Sequence, residues 1–155
     1  IATRRPSLVL LDVWLQGSRL DGLDLSPGML EKARRKRLYD HLNEGDVLAA
    51  EAPDALPYDL VTAADVLTYL GDLVPVFSRA AALLQPGGLF AFSVEADDAA
   101  DPFLLKPSLR YAHAPSALKP QLEAVGLETL AERRAELRRD RNEPVRGALF
   151  VARKC

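Results

Sequence analysis

Apolar and polar positions alternate from Arg19 to Leu25. Leu20, Gly22 and Asp24 fall on one side and Asp21, Leu23 and Leu25 on the other, a period of two that predicts a strand. Ser26 and Pro27 then open a helix, the hydroxyl capping free amides and the proline bringing its φ preset for the first turn. Over 27–36, Met29, Leu30 and Ala33 recur at helical spacing, and the basic run Arg34 to Arg37 suits a helix carboxyl terminus. Upstream, residues 8–16 (LVLLDVWLQ) support two readings. One is a short apolar strand buried in a parallel sheet. The other is a helix capped by Ser7 and closed by Gly17, which the flanking residues favour.

Residues 41–44 suggest a short strand, followed by Gly45, Asp46 and Val47 and then an Ala- and Pro-rich loop, Ala49 to Pro57. Tyr58 to Ala63 (YDLVTA) reads as a buried strand opening into Ala64 and Asp65. From Asp72 to Leu84 a stripe of Leu73, Val76, Phe77, Ala80 and Leu84 predicts a helix, with Pro75 in its first turn. Gln85-Pro86-Gly87-Gly88 stops it, and Leu89 to Val94 returns as a strand. Residues 95–114 make a long connection of the kind that forms a lid or binding loop. A helix follows from about Ala117 to Val125, ended by Gly126. Residues 128–139 have strong helix propensity, yet a turn around Asn142-Glu143-Pro144 and the strand pattern of 145–153 argue for a hairpin, which is the reading preferred. Strand and helix alternate three times. That order predicts an α/β domain with a mostly parallel sheet covered by helices, finished by an antiparallel pair.

The 155 residues suffice for one domain with a real core, so 1–155 is read as a single unit. With 48% hydrophobic and 27% charged residues the composition is that of a folded soluble protein, and a net charge of −2 gives no reason to expect nucleic acid or an anionic membrane as partner. Cys155 is the only cysteine, and His41 and His113 are the only histidines. Neither a disulfide framework nor a metal centre is expected from that set. No apolar run approaches the roughly 18 residues of a membrane span. The chain starts at Ile1 without a signal peptide, which suggests a cytoplasmic protein or a fragment of one.

The candidate chemistry begins with Asp24. A carboxylate at the carboxyl end of a strand, beside a helix amino terminus, is where open α/β sheets bind a nucleotide ribose, two hydroxyls donating to its two oxygens. A surface Asp closing an ordinary strand is the competing reading.

GLDLSPGMLEKAR, GDVL, YDLVTAADVLTYLGDL and LLQPGGLFAFSVE resemble, in order and spacing, the class I S-adenosylmethionine-dependent methyltransferases. The likeness is to the bacterial small-molecule type, sometimes fused to helical repeats, and runs from about Leu15 to the end. It implies a Rossmann-like methyltransferase fold and methyl transfer from S-adenosylmethionine to a small-molecule acceptor. It also implies residue roles: Asp24 on the cofactor ribose, Leu25 and Met29 flanking the adenine, Asp46 and Val47 at the adenine edge, and Ala64 where the methionine part passes. Core packing is the alternative for Leu25, Met29 and Val47.

One departure stands out. The family's first motif, D-x-G-x-G, has no counterpart, because no two glycines stand two apart anywhere in the chain. Part of the cofactor floor is therefore missing, as in a chain incomplete at its amino-terminal side or one that has lost binding. The rival expectation is thus a cofactor-free module of the same fold with an interaction or regulatory role. A nicotinamide-nucleotide oxidoreductase is a third, and it too would need a glycine turn. Methyl transfer requires alignment and, at most, a base, so no residue type is obligatory. Tyr69, Tyr111 and His113 are the candidates to line a substrate pocket, His113 being either a base near neutral pH or, the reading preferred, a surface or structural histidine. The arginines of 133–141 either receive an anionic substrate or form a solvated hairpin face.

Overall fold

The computed structural model describes residues 13–15 (backbone only), 19–50 and 57–155. Two strand systems lie side by side. In the first, β1 (Val13–Leu15) pairs antiparallel with β2 (Arg19–Asp24), and β2 pairs in parallel with β3 (His41–Glu44). In the second, β4 (Tyr58–Ala63) runs parallel to β5 (Leu84–Ala96), whose other edge pairs antiparallel with β9 (Glu143–Lys154). β8 (Leu127–Asp140) closes that side against β9. Because β1 also lies against β4, the spatial order is β3-β2-β1-β4-β5-β9-β8. The chain moves outward from β1 to β3 and then returns to β4. The order therefore reverses between β1 and β4, the kind of crevice where open α/β sheets bind ligands.

Helix α1 (Pro27–Lys36) packs on β2 and β3 through Leu30 and Ala33. It starts and stops as its sequence requires: Ser26 caps it, Pro27 opens it, and Arg37, at φ 53°, returns its amide to the carbonyl of Arg34. Helix α2 (Val74–Leu83) packs on β4 and β5 and helix α3 (Pro115–Ala124) on α2 and β8, and their apolar residues share one core with those of β9. The core there is aromatic. Phe90 and Phe92, two apart on β5, point to the same side. Phe77 of α2 meets Phe90 edge-on at 6.1 Å, and Phe92 stacks on Phe150, its cross-strand partner, at 5.1 Å. Aromatic pairs of this kind add about 0.5–1.5 kcal/mol beyond their buried area. On the opposite face of β9 Leu149 stays 41% exposed.

Several expectations are met, and some are corrected. The helix over 27–36 and the strands at 41–44 and 58–63 have the anticipated bounds. The preferred helix over 8–16 is not formed at Val13–Leu15, which is strand. Backbone pairing with β2 outweighs the local helix signals there, and the other residues of that stretch lie outside the described ones. Leu84, assigned to the helix stripe, is already extended (ψ 144°) and begins β5, which takes in Gln85 to Gly88. The connection 95–114 folds into a small arm, β6 (Phe103–Leu105) and β7 (Tyr111–His113). β7 joins β5 in parallel at Glu95 and Ala96, just beyond the end of β4. The hairpin forms as preferred, but its turn is Arg141-Asn142, with φ 48° and 67°. Two left-handed residues in a two-residue loop match the right-handed twist of the strands.

Candidate functional site

The carboxyl ends of β2, β3, β4 and β5 share one edge of the molecule, and most of the predicted site residues fall there. Asp24 ends β2 and is 2% exposed. Its Oδ1 accepts from the Ser26 amide at 2.7 Å and its carbonyl accepts from the Gly45 amide at 3.1 Å, so the carboxylate turns into the amino end of α1. Leu25 beside it is 47% exposed, an apolar side chain facing outward, and Met29 one turn into α1 is half-buried. Across β3, Asp46 is exposed and caps the 3-10 turn Val47–Ala49 through the amide of Leu48 at 2.9 Å. Val47 packs in the core instead of lining a surface. Ala64 is exposed at the end of β4. Next to it Asp65, at φ 55°, donates its amide to Ser93 Oγ at 2.9 Å.

A cavity of about 340 Å³ opens between β2, β3 and the start of β4. Of the predicted cofactor residues only Asp46 lines it. Its polar wall is Asp21, 4% exposed, which accepts from Tyr58 Oη at 2.9 Å, from Arg19 Nε at 3.1 Å, and meets His41 Nδ1 at 2.9 Å. Burial pushes the Asp21 carboxyl up. The hydrogen bonds from Arg19, His41 and Tyr58, with the charge of Arg19, outweigh that and hold it below its ordinary value. Sequence reasoning missed this group because the residue types are spread over 40 positions; the one available signal was that Asp21 shares the inward side with Leu23.

The three predicted pocket residues lie on two adjoining segments, the 3-10 turn Leu67–Tyr69 after β4 and strand β7. His113 is 1% exposed and donates Nε2–H to the carbonyls of Leu70 and Gly71, both at 3.0 Å. That fixes the tautomer and leaves Nδ1 as a buried lone pair without a partner among the described residues. Burial lowers its pKa despite the two carbonyl bonds, which raise it. Tyr111 packs edge-on against Phe103 at 5.7 Å, and the Arg110 guanidinium lies 5.9 Å over the Tyr69 ring. The Tyr69 hydroxyl is buried without a hydrogen-bond partner among the described residues.

A second missed group binds these segments together. Glu95, at the end of β5, is 2% exposed and accepts from Thr68 Oγ1 at 3.1 Å. Lys106 Nζ reaches it at 3.2 Å, and Arg138 of β8 reaches both Glu95 and Asp65. Beyond it a cavity of about 660 Å³ lies between the β6–β7 arm and the tip of the β8–β9 hairpin. Among the described residues no group of three His, Cys, Asp or Glu side chains is placed to hold a metal ion, and no helix is long and apolar enough to cross a membrane.

Sheet order and covering helices define an α/β domain whose strand order reverses between β1 and β4, with a carboxylate closing β2. Residues 7–90 match the family model described as a methyltransferase domain, and the chain belongs to that family. It is 33% identical to trans-aconitate 2-methyltransferase of Methylobacterium radiotolerans over 129 residues, 82% of this chain and 46% of that protein. It is 33% identical to malonyl-[acyl-carrier protein] O-methyltransferase of Serratia marcescens over 78 residues, 50% of this chain and 30% of that one. The chain thus spans less than half the length of these relatives. Its fold is similar to a SAM-dependent methyltransferase from Methanosarcina mazei, with a TM-score of 0.68 at 16% identity over 86% of this chain and 81% of the other.

Proposed function

We propose that this chain is the S-adenosylmethionine-binding domain of a methyltransferase acting on a small-molecule acceptor. The observation that carries the reading is the corner at the end of β2: the Asp24 carboxylate at the amino terminus of α1, with exposed Leu25, half-buried Met29 and the exposed carboxylate of Asp46 around it. These residues fit the adenosine end of the cofactor. An outward apolar side chain beside a carboxylate suits a flat ring with an exocyclic amine, and a carboxylate at a strand end suits a diol. When bound, the cofactor supplies an electrophilic methyl carbon on a sulfonium.

In this reading Asp24 holds the ribose hydroxyls, Leu25 and Met29 flank the adenine, Asp46 accepts from its amine, and Val47 supports the turn from the core. Ala64 leaves room for the methionine part at the end of β4. Tyr69 and Tyr111 shape the acceptor side. The relatives are named for acyl and acid substrates, which supports a small organic acceptor here. His113 acts by holding the backbone at Leu70 and Gly71 in place, since its donating nitrogen is committed to those carbonyls. The cofactor-free alternative is favoured by one observation, that the cavity beside β2 and β3 is not lined by Asp24.

Calorimetric titration with S-adenosylhomocysteine separates the two. Binding that weakens about tenfold or more in Asp24→Ala, the loss of a charged hydrogen-bond acceptor, is the expected result. No detectable binding by the parent chain overturns the proposal in favour of the cofactor-free module.

A further inference from the structure

The cavity between the β6–β7 arm and the hairpin tip has a charge balance that selects a ligand. Its floor is the Glu95 carboxylate, already neutralised by Lys106 and by Arg138, with Asp65 completing a balanced set of two acids and two bases. Three guanidiniums remain around the cavity, those of Arg110, Arg141 and Arg146, and none forms an ion pair among the described residues. Arg110 is held by the Tyr69 ring, while Arg141 and Arg146 sit at and beside the turn of the hairpin. Against them stand two carboxylates, Asp140 and Glu143, opposite each other across the hairpin and likewise without ion-pair partners. Three free positive charges against two negative ones leave an excess of one. The rest of the wall includes Pro107, Pro144 and Val145, which offer apolar surface.

We propose that this cavity binds the carboxylate of an organic monoacid with an apolar body, the carboxylate on the free guanidiniums of Arg110, Arg141 and Arg146 and the body against the prolines and Val145. A planar guanidinium matches a carboxylate in two parallel hydrogen bonds. A single negative charge satisfies the local excess, whereas a tricarboxylate would place two surplus charges near Asp140 and Glu143. The cavity lies next to Tyr69 and at the carboxyl end of β5, so the bound acid is the acceptor of the proposed methyl transfer. That last identification rests on the methyltransferase reading; the binding site does not.

The test titrates the chain at low salt with hexanoate, with hexanamide as its uncharged match, and with citrate, by calorimetry or by amide chemical shifts. Hexanoate is expected to bind, to weaken with added salt, and to exceed both hexanamide and citrate. The double variant Arg141→Gln, Arg146→Gln is expected to lose about tenfold or more in hexanoate affinity, at least the worth of one charged hydrogen bond, with its S-adenosylhomocysteine affinity and unfolding midpoint unchanged. Glu143→Gln is expected to bind hexanoate more tightly, a gain that a folding defect does not produce. Equal binding of hexanoate and hexanamide, no hexanoate binding, or unaltered affinity in both variants overturns the site. Loss of S-adenosylhomocysteine binding with hexanoate binding retained overturns the methyltransferase reading and leaves the carboxylate site standing.

Discussion

Asp21 is a buried charge whose cost is met by three donors, and this makes it a pH-sensitive point of stability. Its folded pKa lies below that of an unfolded Asp, about 4. The unfolded chain therefore binds the proton first as pH falls. The stabilisation is present above about pH 4 and is lost as pH drops through the folded value. Asp21→Asn is expected to destabilise the chain at neutral pH by about 1–3 kcal/mol, since it leaves Arg19 and Tyr58 with a neutral partner. It should also flatten the acid limb of urea midpoint against pH; an unchanged acid limb would mean that other carboxylates set it. At this scale the sequence was a partial guide. Asp24 stands where strand periodicity and the Ser-Pro helix start put it, because both signals are local. Asp21, two residues earlier, gave no sign of Tyr58, because a hydrogen bond between residues 37 apart leaves no mark in local pattern.

At the scale of elements the contest between local propensity and pairing was decided by neighbours. ETLAERRAELRR favours a helix in isolation, yet β8 pairs with β9 along almost its whole length. Two irregularities bend it. At the second, between Glu136 and Arg138, Leu137 bulges over Gly147 of β9. A methyl group at Gly147 would collide with Leu137 and would stand 2.5 Å from the Val94 carbonyl of β5. Leu137 can turn aside, but the carbonyl sits in a central strand and cannot. Gly147→Ala is thus expected to cost about 1–3 kcal/mol of stability by strand displacement, read as a lower urea midpoint. A midpoint within error of the parent would show that β5 and β9 shift apart freely. The same competition decides Val13–Leu15, strand where the flanking residues favour a helix, because β2 offers an edge for pairing.

Across the whole molecule the carboxyl edge is tied together by Glu95, which draws donors from the turn after β4, from the β6–β7 arm and from β8. Removing its charge leaves Arg138 with Asp65 alone and frees Lys106. Breaking a buried pair from one side costs about 3–5 kcal/mol. In Glu95→Gln the loss should be local first, with faster amide exchange in residues 103–113 before the core strands β4 and β5 respond. Uniform acceleration across the chain would show that the arm opens only on global unfolding.

The alternation of strands and helices from β2 to β5, the closing helix and hairpin, the Ser26 cap of α1 and the acid at the end of β2 were determined by the sequence alone, since each follows from periodicity or from backbone chemistry within a few residues. The direction of β1, the fold of 95–114 into an arm, the Asp21 and Glu95 networks and the cavity walled by Arg110 and Arg146 were decided only in three dimensions. Each of those depends on which distant side chains share a buried space, and burial, not sequence spacing, sets the strength of charge and hydrogen bonding there.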